Sequence, residues 1–170
     1  MRIAFSGFTI DCTVDGEVEL TSDRLRDQLN DDGRLVVVRA VLVRLGDGSE
    51  VGVLRLELQQ DEIYAVDVGP PRGEQSRRLH TVRHHTLVVM GPYRVVGLLH
   101  ERPGVVPMGG MRANRPFVAF TEATISFDRA GVAVDREAET LLVNSQKVSW
   151  MGDPGQSPGE PDAPRHRIVP

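Results

Sequence analysis

A chain of 170 residues with 40% apolar side chains carries enough hydrophobic material for one medium domain or two small ones. Its single cysteine, Cys12, excludes an intramolecular disulfide and a thiolate zinc cluster, and apolar runs as short as 35–38 and 87–90 exclude a membrane-spanning helix. The net charge of -4 hides an asymmetry: residues 1–68 hold seven arginines against fourteen carboxylates, whereas residues 69–115 hold eight arginines against Glu74 and Glu101.

In chain order, Phe8, Ile10, Cys12 and Val14 alternate, which predicts a strand with the Cys12 thiol as a small buried side chain. No basic neighbour stands beside Cys12 to activate it, and Asp11 opposes ionisation. Residues 21–30 open with Thr21, Ser22 and Asp23, space Leu25 and Leu29 four apart, and stop at Asn30 before Gly33. That is the signature of one short helix, with the leucines buried and Arg24, Arg26 and Asp27 outward. Residues 35–45 form a long β-branched run closed by the Gly46-Asp47-Gly48 turn, followed by strand-like residues 51–58, a polar turn, and a last strand ending at Val66. Residues 69–86 read as an arginine- and histidine-rich connector.

The pattern then returns. Residues 93–97 match 8–12, 117–127 match 35–45, 139–143 match 51–58, and 144–151 match 59–66, in the same order. The helix does not return, because Gly109 and Gly110 interrupt residues 107–114. Residues 152–170 are rich in proline and glycine and read as a flexible tail. The expected organisation is therefore a first acidic β module at 1–68, the connector at 69–86, a second β module at 87–151 and the tail. With no apolar stretch of signal-peptide length behind Arg2, the chain reads as soluble and cytoplasmic.

A module of strand, short helix, long strand pair and brief closing strand is similar in order to Sm-like and SH3-like small barrels. The run Gly91-Pro92-Tyr93-Arg94-Val95-Val96-Gly97-Leu98-Leu99-His100, with Pro103-Gly104, Arg115 through Ala123 and Leu142-Val143-Asn144, resembles an uncharacterised bacterial small β-barrel domain family. In the first module Arg24 through Asn30 carries that likeness. The resemblance implies a mostly β protein of two tandem small-barrel modules, and it carries no activity. The paired nucleotide-pocket motifs of an Sm protein are not found.

Arg72, Arg77, Arg78, His80, Arg83, His84 and His85 form the strongest local signal. Such a cluster can grip phosphates, and His80 and His84 can share a helical face, but no third metal ligand stands nearby, so no metal is expected. Nucleic acid recognition calls for aromatic platforms, and Tyr93 is the nearest. The simpler reading is a basic surface that docks on acidic protein, another copy of this chain included. His100, at a strand end, lacks an identifiable catalytic partner. Asp135, Glu137 and Glu139 share one strand face as solvated charge, and Tyr64 and Trp150 read as packing residues. No phosphate-cradling loop, nucleophile elbow or dinucleotide fingerprint occurs. The sequence thus predicts a binding or scaffold protein acting through protein–protein contacts within an oligomer, without a cofactor. A nucleic-acid-binding regulator is one alternative, and an enzyme or ligand-binding barrel is the other.

Overall fold

The computed structural model describes residues 1–22, 24–31, 33–69, 81–104 and 116–156. Ten strands and one α-helix follow one another: β1 (Arg2–Phe8), β2 (Cys12–Glu19), α1 (Leu25–Asp31), β3 (Arg34–Arg44), β4 (Glu50–Gln59), β5 (Ala65–Asp67), β6 (Val82–Met90), β7 (Tyr93–Glu101), β8 (Phe117–Arg129), β9 (Val132–Asn144) and β10 (Trp150–Gly152). Short 3₁₀ turns, Gln60–Glu62 and Ser145–Lys147, precede β5 and β10.

All ten strands join one antiparallel sheet in the order β10-β6-β7-β8-β9-β5-β1-β2-β3-β4. The mostly β expectation holds. Among the described residues the sheet is continuous and does not close on itself, which leaves β10 and β4 as its two edges. Its order is built twice: β5-β1-β2-β3-β4 in the first half and β10-β6-β7-β8-β9 in the second.

Both long strands bend at a bulge. In β3 the buried positions are Leu35 and Val37, then Ala40, because Arg39 inserts with φ 51° and shifts the alternation by one. In β8 Glu122, with φ 49°, does the same between Phe120 and Ala123. The facing strands carry Gly16 and Gly97 where the register slips. A Cβ on Gly97 would stand 3.0 Å from the Ala123 Cβ and 3.2 Å from the Thr121 carbonyl oxygen, so tight that β8 would have to give by a few tenths of an ångström.

Buried side chains gather in two clusters, each drawing on both halves. The first holds Val14, Val18, Leu25, Leu29, Leu35, Val37 and Ile63 with Phe117 and Leu142 of the second half. The other holds Tyr93, Val95, Leu99, Phe120, Ile125 and Phe127 with Phe8, Leu45 and Ala65 of the first half. The junction strands explain the exchange. Ala65, Val66 and Asp67 of β5 oppose Val143, Leu142 and Leu141 of β9, and alternate residues point to opposite faces. Val66 and Leu142 therefore enter one cluster, and Ala65, Leu141 and Val143 the other.

The helix begins at Leu25, later than the capping residues suggest. The Thr21 N–H instead donates to Gln28 Oε1 at 3.1 Å, and the first helical turn closes on the Arg24 carbonyl. Leu25 and Leu29 are buried as expected, Arg24 is exposed, and Arg26 and Asp27 are half-buried. Asn30 Oδ1 accepts the Phe117 N–H at 3.0 Å, which ties the helix end to β8.

Two boundaries differ from the sequence reading. Phe8 to Val14 is not one strand: Thr9, Ile10 and Asp11 turn the chain between β1 and β2, leaving Ile10 exposed. The Thr9 N–H closes this turn on the Cys12 carbonyl at 2.9 Å, and side chains brace it, with the Cys12 N–H donating to Thr9 Oγ1 at 3.2 Å and Thr9 Oγ1 lying 3.1 Å from Asp11 Oδ1. The segment around Arg83, His84 and His85 is the start of β6, paired with β7, rather than connector. Residues 107–114 and the tail beyond 156 lie outside the described residues.

Candidate functional site

The two 3₁₀ turns and the Thr9–Cys12 turn meet where β5 joins β9, and an open cleft of about 420 Å³ lies there. Its walls include Thr9, Asp11, Cys12, Asp61, Glu62, Tyr64 and Lys147. The Lys147 ammonium stands 5.5 Å from the centre of the Tyr64 ring, a cation–π distance. Asn144 lies behind these turns rather than in the cleft wall. Fully buried, it donates from Nδ2 to the Gln60 carbonyl at 3.2 Å and the Ile63 carbonyl at 2.9 Å, accepts the Gln146 N–H on Oδ1 at 3.1 Å, and sends its own N–H to the Tyr64 carbonyl. One side chain thereby satisfies both turns that shape the cleft.

Cys12 is buried and 3.1 Å from Thr9 Oγ1. Burial pushes its thiol pKa up, and Asp11 adds to that against the opposing Thr9 hydrogen bond. A thiol held protonated packs well and attacks poorly. Native protein is therefore expected to react with a thiol-selective disulfide reagent only slowly at neutral pH, and at full rate after denaturation. A burst of labelling in the folded state would reverse that assignment. Three carboxylates and one ammonium stand in an otherwise mainly apolar lining, and the one hydroxyl–carboxylate pair in it, Thr9 with Asp11, is spent on bracing the turn.

The sequence-derived candidates are not gathered at this cleft. Tyr93 is completely buried, donates from its hydroxyl to the Thr9 carbonyl, and has its phenol pKa raised by burial, so its ring offers no face to a base. His100 is half-buried between threonines, with Nε2 2.6 Å from Thr121 Oγ1 and Nδ1 3.3 Å from Thr81 Oγ1, an arrangement that staples β6 and β8 to β7. Arg83 and His85 are exposed on β6 and His84 is half-buried. Arg72, Arg77, Arg78 and His80 lie outside the described residues. Among the described residues no group of three potential ligands could hold a metal ion, and no helix is long and apolar enough to cross a membrane.

Sequence reasoning missed Asn144 and Arg136. The Arg136 guanidinium crosses from β9 to the first half, where Nη1 lies 3.4 Å from Ser6 Oγ and 3.8 Å from Asp15 Oδ1, over the Phe8 ring at 5.8 Å. Nothing in its neighbourhood of alternating charge marks it out. Asn144 had a signal, since it opens the polar Asn144-Ser145-Gln146 turn and Asn caps such turns. Both residues bind the halves together.

The β4 edge is the remaining surface with functional character. Among the described residues its outer row of backbone groups has no partner strand, Leu54 is 87% exposed and Val51 47%. Edges of this kind attract another strand unless they are blocked. No family model, curated protein or solved structure matches the chain.

Proposed function

We propose that the chain is a non-enzymatic binding or scaffold protein, built from two diverged copies of one small-barrel-like module, that works through protein–protein contacts within a larger assembly. The observation that carries this reading is the open β4 edge, long, unpaired and bearing exposed Leu54. The module reading draws on the recurring strand order, the bulges at Arg39 and Glu122, and the 3₁₀ turn that follows both β4 and β9. The cleft supports binding better than catalysis, because its buried thiol is held protonated.

The test replaces Leu54 with a photo-crosslinking amino acid in the full chain, irradiates it in cells, and identifies adducts by mass spectrometry. The expected product is a covalent adduct to a protein, mapped to a defined peptide. Adducts confined to nucleic acid would favour the regulator reading, for which the exposed Arg83 and His85 on β6 are the structural support. That alternative also requires affinity that falls steeply with salt. Absence of any adduct from Leu54 would remove the β4 edge as a working surface.

A further inference from the structure

The sheet contains one junction between its halves and two edges that would make the same junction again. Inside the chain, β5 of the first half pairs with β9 of the second. By strand order, β4 holds in the first half the place of β9, and β10 holds in the second half the place of β5. Those are the two strands left open.

We infer that the chain pairs head to tail with a second copy of itself, β10 of one copy adding to β4 of the next in the register of the internal β5–β9 junction. The inference rests on the reading of the two halves as copies of one module and names the partner of that edge. Register fixes the correspondences. Ser6 opposes Asp67 as Leu87 opposes Gly152, Phe8 opposes Thr13 as Val89 opposes Arg94, and Arg34 opposes Gln59 as Phe117 opposes Asn144. Trp150, Met151 and Gly152 of one copy then oppose Leu58, Glu57 and Leu56 of the next.

The side chains brought together suit one another at three places. At the internal junction Arg136 reaches Ser6, Asp15 and the Phe8 ring. In the junction between copies, Val51 takes the place of Arg136, and Leu87, Val96 and Val89 take the places of Ser6, Asp15 and Phe8. The charged and hydroxyl groups on both sides are replaced by aliphatic ones together, and Val51, now 47% exposed, meets the half-buried Val89 and Val96 beside the buried Leu87. Second, the Val68 N–H donates to the Thr140 carbonyl at 3.1 Å inside the chain. Between copies the same pair becomes Asp153 and Arg55, both exposed, of opposite charge and directly across from each other. Third, Glu62 and Lys147, from the two 3₁₀ turns, both line the internal cleft. Between copies Lys147 holds the place of Glu62 and Glu62 that of Lys147, so the pairing of signs is kept.

One position differs in kind. Arg34 and Glu57, an exposed ion pair at 3.5 Å, stand where the internal junction has buried Phe117 and Leu142. The free β4 edge is thereby kept wetter than the internal one, and the contact between copies is the weaker of the two and reversible. A heterologous contact repeated at both ends closes into a ring or extends as a filament.

The test uses sedimentation velocity on the full chain over a concentration series, with two edge variants. Asn144 and Val68 mark the hydrogen-bonded pairs of the internal junction, and Leu142 and Val66 lie between them in the same alternation. The N–H groups of Glu57 and Met151, which hold those two places, therefore face the open edges. Glu57→Pro and Met151→Pro each remove one such donor and leave the ladder to the inner neighbour in place. The parent is expected to associate with rising concentration. Each variant alone is expected to sediment as a monomer with an unchanged far-ultraviolet circular dichroism spectrum. An equimolar mixture should give dimers, since one variant keeps its β10 edge and the other its β4 edge. If a proline variant loses its native spectrum, Val51→Glu and Met151→Glu disrupt the same contact through side chains. A parent that stays monomeric at every soluble concentration overturns the inference, as does an oligomer indifferent to all four substitutions. A monomeric parent whose Leu54 adduct carries a different protein would overturn self-pairing alone and leave the scaffold reading intact.

Discussion

Phe8→Ala is expected to unfold both halves of the molecule at a markedly lower temperature, in one transition. Phe8 ends β1 in the first half, yet its ring is buried in the cluster of the second. It meets Tyr93 edge-on at 5.5 Å and Phe127 at 5.9 Å, with the Arg136 guanidinium above it. Truncating a buried phenylalanine costs about 3–5 kcal/mol through lost burial and the cavity left behind. The edge-to-face contacts account for roughly 0.5–1.5 kcal/mol each on top of area. For a chain of this length a loss of 4 kcal/mol corresponds to a melting temperature lower by roughly 8–16 °C. Differential scanning calorimetry reads the result. Two separate transitions, with only one displaced, would show that the clusters do not depend on each other, and a displacement of a degree or two would mean that Phe8 contributes little.

Asn144→Ala is the second large effect. It removes the donor that serves the Gln60 and Ile63 carbonyls and the acceptor for the Gln146 N–H, all at a site with no exposure. Leaving a buried polar group unsatisfied costs about 1–3 kcal/mol, so a loss of about 2–4 kcal/mol is expected in denaturant unfolding. Asn144→Asp separates the donor from the shape. An ionised carboxylate there would face two carbonyl oxygens in a buried site, so its pKa should be raised in the folded state above the unfolded value. A raised acid pKa means that the native state binds the extra proton. The variant's deficit relative to the parent should therefore be largest at neutral pH and shrink as pH falls through the folded pKa towards the unfolded one. A deficit independent of pH would show that the donor to the two carbonyls is not what matters.

How much of this was legible beforehand depends on which physical signal each element carries. The long strands were plain from their β-branched runs, and Leu25 and Leu29 gave the helix through their spacing. The order of the strand-like runs was visible too. On the proposed relation of the halves as copies, strand pairing sets Arg34 against Phe117 and Cys12 against Tyr93, whereas the sequence reading set Leu35 against Phe117 and Phe8 against Tyr93. The first slip is a single residue, and bulges at Arg39 and Glu122 disturb the very alternation that would fix it. The second arises because the Thr9–Asp11 turn has no glycine, proline or asparagine and is braced by the Thr9 and Asp11 side chains. Whether the two halves pack as one unit was not legible, since backbone pairing between β5 and β9 leaves no mark in composition. Tyr93 stood out as the aromatic nearest the basic cluster, and only the packing of Phe8 and Phe127 around it shows that its ring is enclosed.

The exchange of side chains between the two clusters has a consequence for the order in which the chain is made. Translation delivers β1 to β5 first, but the cluster around Val14, Leu25 and Leu35 also needs Phe117 and Leu142. Until the ribosome has passed Asn144, the emerging half has β5 without its neighbour β9 and a core with part of its wall missing. A nascent chain of this kind gains its full stability late and all at once, so its exposure to chaperones and proteases is set by the time taken to synthesise the second half rather than by the folding speed of the first.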